Sequence, residues 1–167
     1  MSDNEHKPAL PLSHPACMLA TWFGVGLIRP APGTWGSLAA LPFAWAIVAM
    51  GGPYALLAAT VVVFAVGCWA GGVYEKAGGG TDPGGVVIDE VAGQWLVLIA
   101  APLDHMYYLA GFVLFRLCDI TKPWPASWAD RRVHGGLGIM LDDVLAALYA
   151  FAAIAAFRYW YCLGEGL

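Results

Sequence analysis

Charge is what this chain has least of. Of its 167 residues only 12% are Asp, Glu, Lys or Arg, about half the share of an ordinary soluble domain. From Ser37 to Tyr74 there is no Asp, Glu, Lys, Arg or His at all. With 60% hydrophobic residues and a mean hydropathy of +0.66, the chain reads as an integral membrane protein rather than a soluble domain. The net charge of −4 gives no reason to expect a nucleic-acid partner. Cysteines are few and scattered: Cys17, Cys68, Cys118 and Cys162 form no C-x-x-C pair, which excludes the usual zinc and dithiol motifs and predicts free thiols. The opening MSDNEHKPALPL has no basic-then-apolar leader layout. Residues 1–167 are expected to form a single domain, with 1–13 a flexible tail on the cytoplasmic side.

The apolar segments predict an all-α, multi-helix membrane bundle with about four or five apolar helices. Gly51-Gly52-Pro53 breaks the uncharged run as a turn would, giving a helical hairpin. Its second arm, Tyr54–Tyr74, has the roughly 20 residues that a crossing requires. The first, Ser37–Met50, is short and contains Pro42. Further apolar stretches follow at Val86–Leu103, Met106–Cys118 and Gly138–Phe157, without internal repeats. Alternating the crossings puts Lys7, Arg29, Lys76, Arg116, Lys122, Arg131 and Arg132 on one side and only Arg158 on the other. That bias marks the first side as cytoplasmic. The same threading brings three polar clusters, 24–38, 82–95 and 115–143, to the cytoplasmic face.

The densest of these is Phe115–Asp143, FRLCDITKPWPASWADRRVHGGLGIMLDD. Ionisable residues beside apolar helices are costly and mark candidate functional sites. Two clusters share a pattern, small residues and then an acidic pair at an expected helix start: D-P-G-G-V-V-I-D-E and G-G-L-G-I-M-L-D-D. Acids there suit the helix dipole. Adjacent residues point about 100° apart, so each pair offers at least one inward oxygen ligand. Carboxylates without a Cys or His set suit magnesium, a hard cation that takes oxygen ligands. The competing reading is that the acids only cap helices and pair with nearby bases.

Arg116 and Asp119 share a helix face, Lys122 precedes the helix-ending Pro123, and cations beside a metal site suggest phosphate binding. The glycine- and proline-rich run G-V-G-L-I-R-P-A-P-G-T-W-G-S offers Thr34 and Ser37 as phosphate-binding candidates, with Ser37 expected to cap the next helix. It lacks the P-loop lysine. His134 is a candidate proton relay or a plain surface residue. Arg131 and Arg132 read equally as a headgroup-attracted topology signal, and the tryptophans as interfacial anchors.

The chain resembles the phosphatidylglycerophosphatase A family, bacterial membrane enzymes that remove the phosphate from phosphatidylglycerophosphate. The resemblance rests on G-V-G-L-I-R-P-A-P-G-T-W-G-S-L at 24–38, V-V-I-D-E-V-A-G-Q-W at 86–95, and F-R-L-C-D-I-T-K-P-W-P at 115–125 continuing through H-G-G-L-G-I-M-L-D-D. It implies an all-helical fold, magnesium dependence, and phosphatidylglycerol synthesis in the bacterial inner membrane. The bilayer-borne substrate and surrounding lipids are the partners, and the oligomeric state stays open. Metal binding is carried to Asp89, Glu90, Asp142 and Asp143, and phosphate binding to Arg116 and Lys122. Asp119 and Asp82 occupy motif positions without a fixed role.

Other phosphatase chemistries each lack a part: there is no C-x5-R, no D-x-D and no S-G-H. That leaves metal-assisted attack by water, with Asp119 a candidate to take its proton. Covalent attack by an aspartate stays open. The rival class is a small transporter or channel component using these acids for ions or protons, but no acid lies midway along 37–74.

Overall fold

The computed structural model describes residues 10–79 and 84–164, with side chains to Tyr161. Asp82 therefore lies outside the described residues. All regular structure among them is helical.

A short α1 (Pro15–Ala20) begins with proline in its first turn, and His14 Nδ1 accepts a hydrogen bond from the Ala16 amide at 3.2 Å. The long α2 (Pro32–Tyr74) carries the uncharged run and has one non-helical residue inside, Gly52, at φ 73° and ψ −176°. Glycine adopts that backbone without the Cβ clash other residues meet. Gly36 lies against Val87 and Gly67 against Ile88. In a straight helix those two glycines would be about 46 Å apart at 1.5 Å per residue, so the chain reverses at Gly52. The two arms, 32–51 and 53–74, form the expected hairpin. Its first arm starts at Pro32 rather than Ser37 and is no shorter than a crossing requires. At the tip, Met50 and Tyr54 are each 83% exposed.

The stretch at Val86–Leu103 is not a long helix. It holds α3 (Ile88–Leu98), 11 residues or about 16 Å, then an irregular turn before α4 (His105–Thr121). Asp104 caps α4 by accepting from the Met106 and Tyr107 amides at 2.8 and 3.1 Å. α3 packs against α2, α4 and α6 (Gly135–Gly164). One of its faces, with Val91, Trp95 and Leu98, joins α2, Phe115 of α4, and Ala147, Ala150 and Ile154 of α6. Another, with Ile88 and Ala92, joins α1, Ala70, Tyr74 and Met140. A helix apolar on every side belongs inside a core. The Trp95 indole N–H fixes it to α2 by donating to the Ala40 carbonyl at 2.9 Å.

Two helical stretches among the described residues are long and apolar enough to cross a bilayer, Pro32–Gly78 and Gly135–Tyr161, and only 28% of the first one's apolar window is buried. Leu57, Val61, Val62 and Trp69 of α2, with Leu109 and Val113 of α4 and Phe157 and Trp160 of α6, remain exposed. Apolar exposure on this scale marks an interaction surface of the kind that meets a membrane or a partner.

Candidate active site

Three segments meet at one end of the bundle around a cavity of about 580 Å³. Pro32 and Gly33 come from the start of α2, Asp89 and Glu90 from the first turn of α3, and Asp119 and Ile120 from the last turn of α4. Lys122, Asp130 of α5 (Ala126–Arg132), His134, Asp142 and Asp143 complete the ring of polar lining. Of the proposed site residues, all the acids and Lys122 therefore share one cavity.

The acidic pairs differ in their helix positions. Asp89 and Glu90 stand in the first turn of α3, where the dipole argument applies. α6 begins at Gly135, two turns before Asp142 and Asp143, so packing rather than the helix terminus holds the second pair. Gly93 makes room for it: a Cβ there would sit 2.6 Å from the Phe115 ring and 3.3 Å from the Asp143 carbonyl.

Asp89, Glu90 and Asp143 each place a carboxylate oxygen within 4.8 Å of the other two. Two ionised carboxylates at that distance repel by about 3 kcal/mol at an effective dielectric constant of about 20. Nearby positive charge is sparse: Arg116 Nη1 lies 3.7 Å from Glu90 Oε1 and 2.8 Å from Asp119 Oδ2. Glu90 Oε2 and Asp143 Oδ2 are buried without a hydrogen-bond partner. Hard oxygen donors in excess over cations, with lone pairs unused, fit a divalent ion of the magnesium type. The fourth expected ligand, Asp142, lines the same cavity, and its Oδ2 accepts from Lys122 Nζ at 2.7 Å.

Lys122 takes a left-handed backbone, φ 42°, as α4 stops before Pro123. Its ammonium also donates to Asp130 Oδ1. Burial alone would lower the pKa of this group, but the bonds to Asp130 and Asp142 outweigh it and hold the pKa above the ordinary lysine value. Arg116 extends behind the cavity and donates to Ser37 Oγ at 3.4 Å. Ser37 is not a cap. It lies inside α2 and donates to the Gly33 carbonyl at 2.9 Å, because the helix starts five residues earlier. The cavity wall at that helix start is Pro32 and Gly33; Thr34, half-buried, and Ser37 stand behind it.

Asp130, whose role the sequence left open, joins the site. Asp130 meets Lys122 across the α4–α5 turn, a contact that spacing does not encode. Gln94 is fully buried with neither amide atom partnered, and it lies one turn beyond Glu90 on the same face of α3.

Residues 18–158 match the family model described as Phosphatidylglycerophosphatase A. A Haemophilus influenzae protein named "Phosphatidylglycerophosphatase A" is 41% identical over 161 residues, covering 96% of this chain and 99% of the relative. An Escherichia coli K12 protein of the same name is 42% identical, covering 85% and 83%. A Bacteroides thetaiotaomicron protein named "Putative phosphatidylinositol-3-phosphatase" is 39% identical, covering 85% and 92%. No solved structure matches the chain.

Proposed function

The chain belongs to the phosphatidylglycerophosphatase A family, and from that premise we propose how the acid-lined cavity removes the terminal phosphate of phosphatidylglycerophosphate. The observation that carries the reading is the group of Asp89, Glu90 and Asp143 oxygens within 4.8 Å, two of those side chains keeping an unpartnered buried oxygen.

These three carboxylates would hold magnesium, with Asp142 beside them and bound to Lys122. Magnesium held there supplies a Lewis-acid charge that polarises phosphoryl oxygens and makes water more acidic. Lys122, kept charged by Asp130 and Asp142, would stabilise the charge spreading over the transferring phosphoryl group, and Arg116, behind the cavity wall, would add its positive charge there while holding Asp119 and Glu90. Asp119, which lines the cavity outside the three-acid group and pairs with Arg116 through Oδ2, would accept the proton of the attacking water. Exposed apolar flanks on α2, α4 and α6 support a multi-pass position in the bacterial inner membrane. The excess of Lys and Arg at the cavity end supports a cytoplasm-facing site. The lipid then presents its headgroup while its tails stay in the bilayer.

Phosphate release from phosphatidylglycerophosphate by purified, reconstituted protein tests this reading. Release is expected with magnesium and is expected to stop with a chelator and return on adding the ion back. No release in magnesium would remove the proposal, and release indifferent to chelator would remove its metal. A phosphorylated inositol lipid offered in parallel ranks the substrates, with phosphatidylglycerophosphate expected to be turned over faster.

A further inference from the structure

A second concavity lies on the lipid-facing side of the bundle, about 400 Å³ in volume, lined by Leu41, Pro42, Trp45, His105, Tyr108 and Leu109. Its walls are the first arm of α2 and the N-terminal half of α4. The lining is mostly hydrocarbon and aromatic. Trp45 and His105 stack across its far end at 4.7 Å, and Tyr108 packs edge-on to Trp45 at 4.9 Å.

The groove and one wall of the acid site are built on the same two helices, α2 and α4. Arg116 is seven residues beyond Leu109 on α4, two turns and about 10 Å along the same face. On α2, Ser37 precedes Pro42 by about 7.5 Å. The Arg116–Ser37 contact bridges these two helices on the acid-site side of the groove residues, and the same Arg116 reaches Glu90 and Asp119. Pro32, Gly33, Asp119 and Ile120, on the same two helices, form a wall of the catalytic cavity. A cation stands on the acid-site side and an apolar trough further along the same two helices. That order matches the order of parts in a phospholipid, anionic headgroup and then acyl chain.

We propose that this groove binds one acyl chain of the diacyl phospholipid substrate while its terminal phosphate occupies the acid-lined cavity. The inference rests on the lipid-phosphatase reading and adds to it a site for the part of the substrate that does not react. Binding energy from that remote part fixes the headgroup and gives preference for membrane-borne over water-soluble phosphate esters.

The test fills the groove and reads long-chain and chain-free substrates separately. Leu109→Trp is the variant, and Val61→Trp, on an exposed part of α2 away from the groove, is the control. Leu109→Trp is expected to raise KM for a long-chain diacyl substrate about tenfold, about 1.4 kcal/mol, with kcat retained. Its kcat/KM on glycerol phosphate should match that of wild type, and the control should change neither. Equal effects on both substrates, or none on the long-chain one, would overturn the proposal. Independently of turnover, a phosphomonoester-ended diacyl lipid with a diazirine midway along one chain is expected to label groove residues in wild type and far less in Leu109→Trp. Labelling spread evenly over the exposed faces would mean annular lipid only. Groove labelling without phosphate release would overturn the function and keep the groove; release with scattered labelling would do the reverse.

Discussion

α2 and α3 are both built of apolar residues and meet opposite surroundings. α2 presents Leu57, Val61, Val62 and Trp69 outward, and its apolar character suits lipid. α3 has Val91, Ala92, Gly93, Gln94, Trp95, Val97 and Leu98 all buried, and its apolar character suits the protein interior. The outer helix fixes where the molecule sits; the inner one fixes the acids. A short, enclosed helix tied by Trp95 to Ala40 keeps Asp89 and Glu90 in place against Asp143, as a preorganised charge site requires.

The largest expected effect lies at the inner helix's acidic end. Asp89→Asn and Asp143→Asn keep size but remove ligand charge, and each should lower kcat by about 10²–10³-fold, the scale of losing one electrostatic element of a catalytic site. Near-normal phosphate release from either folded variant would move the metal elsewhere.

The outer helix is broken by charge instead. Val62→Lys, in the middle of the second arm, should cost about 3 kcal/mol of insertion free energy if the residue faces hydrocarbon. Membrane-fraction yield checks this, since a water-facing position would tolerate lysine without loss.

Gly93→Ala addresses the inner packing. The new methyl must displace the Phe115 ring, an overpacking cost of about 1–3 kcal/mol, and it should lower the thermal midpoint in detergent together with turnover. Unchanged stability would mean α3 and α4 separate easily. Smaller still, Trp95→Phe removes the hydrogen bond to Ala40, about 1 kcal/mol. Val61→Ala on the lipid face should shift the midpoint less than Trp95→Phe, and a reversed order would erase the distinction between the two helices.

Legibility followed the range of the interaction. The Gly52 reversal was readable because a Gly-Gly-Pro turn in an uncharged run is a local signal. The Arg116–Asp119 pair was readable because residues three apart share a helix face. The length of α3 was not, because Val86–Leu103 has the composition of a membrane span and only its neighbours show that the surrounding medium is protein. Ser37 was misread as a cap because the helix start depends on Pro32, and the Lys122–Asp142 bond was not readable because it joins residues twenty positions apart.

The sequence by itself determined that this is an apolar, all-helical chain with its ionisable groups confined to a few clusters, since composition and helical periodicity follow from the cost of placing charge in hydrocarbon. Tertiary structure decided which acids stand together, that Glu90 meets Arg116, and which apolar helix stays exposed. The Asp89, Glu90 and Asp143 group and the Glu90–Arg116 pair join residues tens of positions apart, and only the packing of α3 against α4 and α6 brings them within reach.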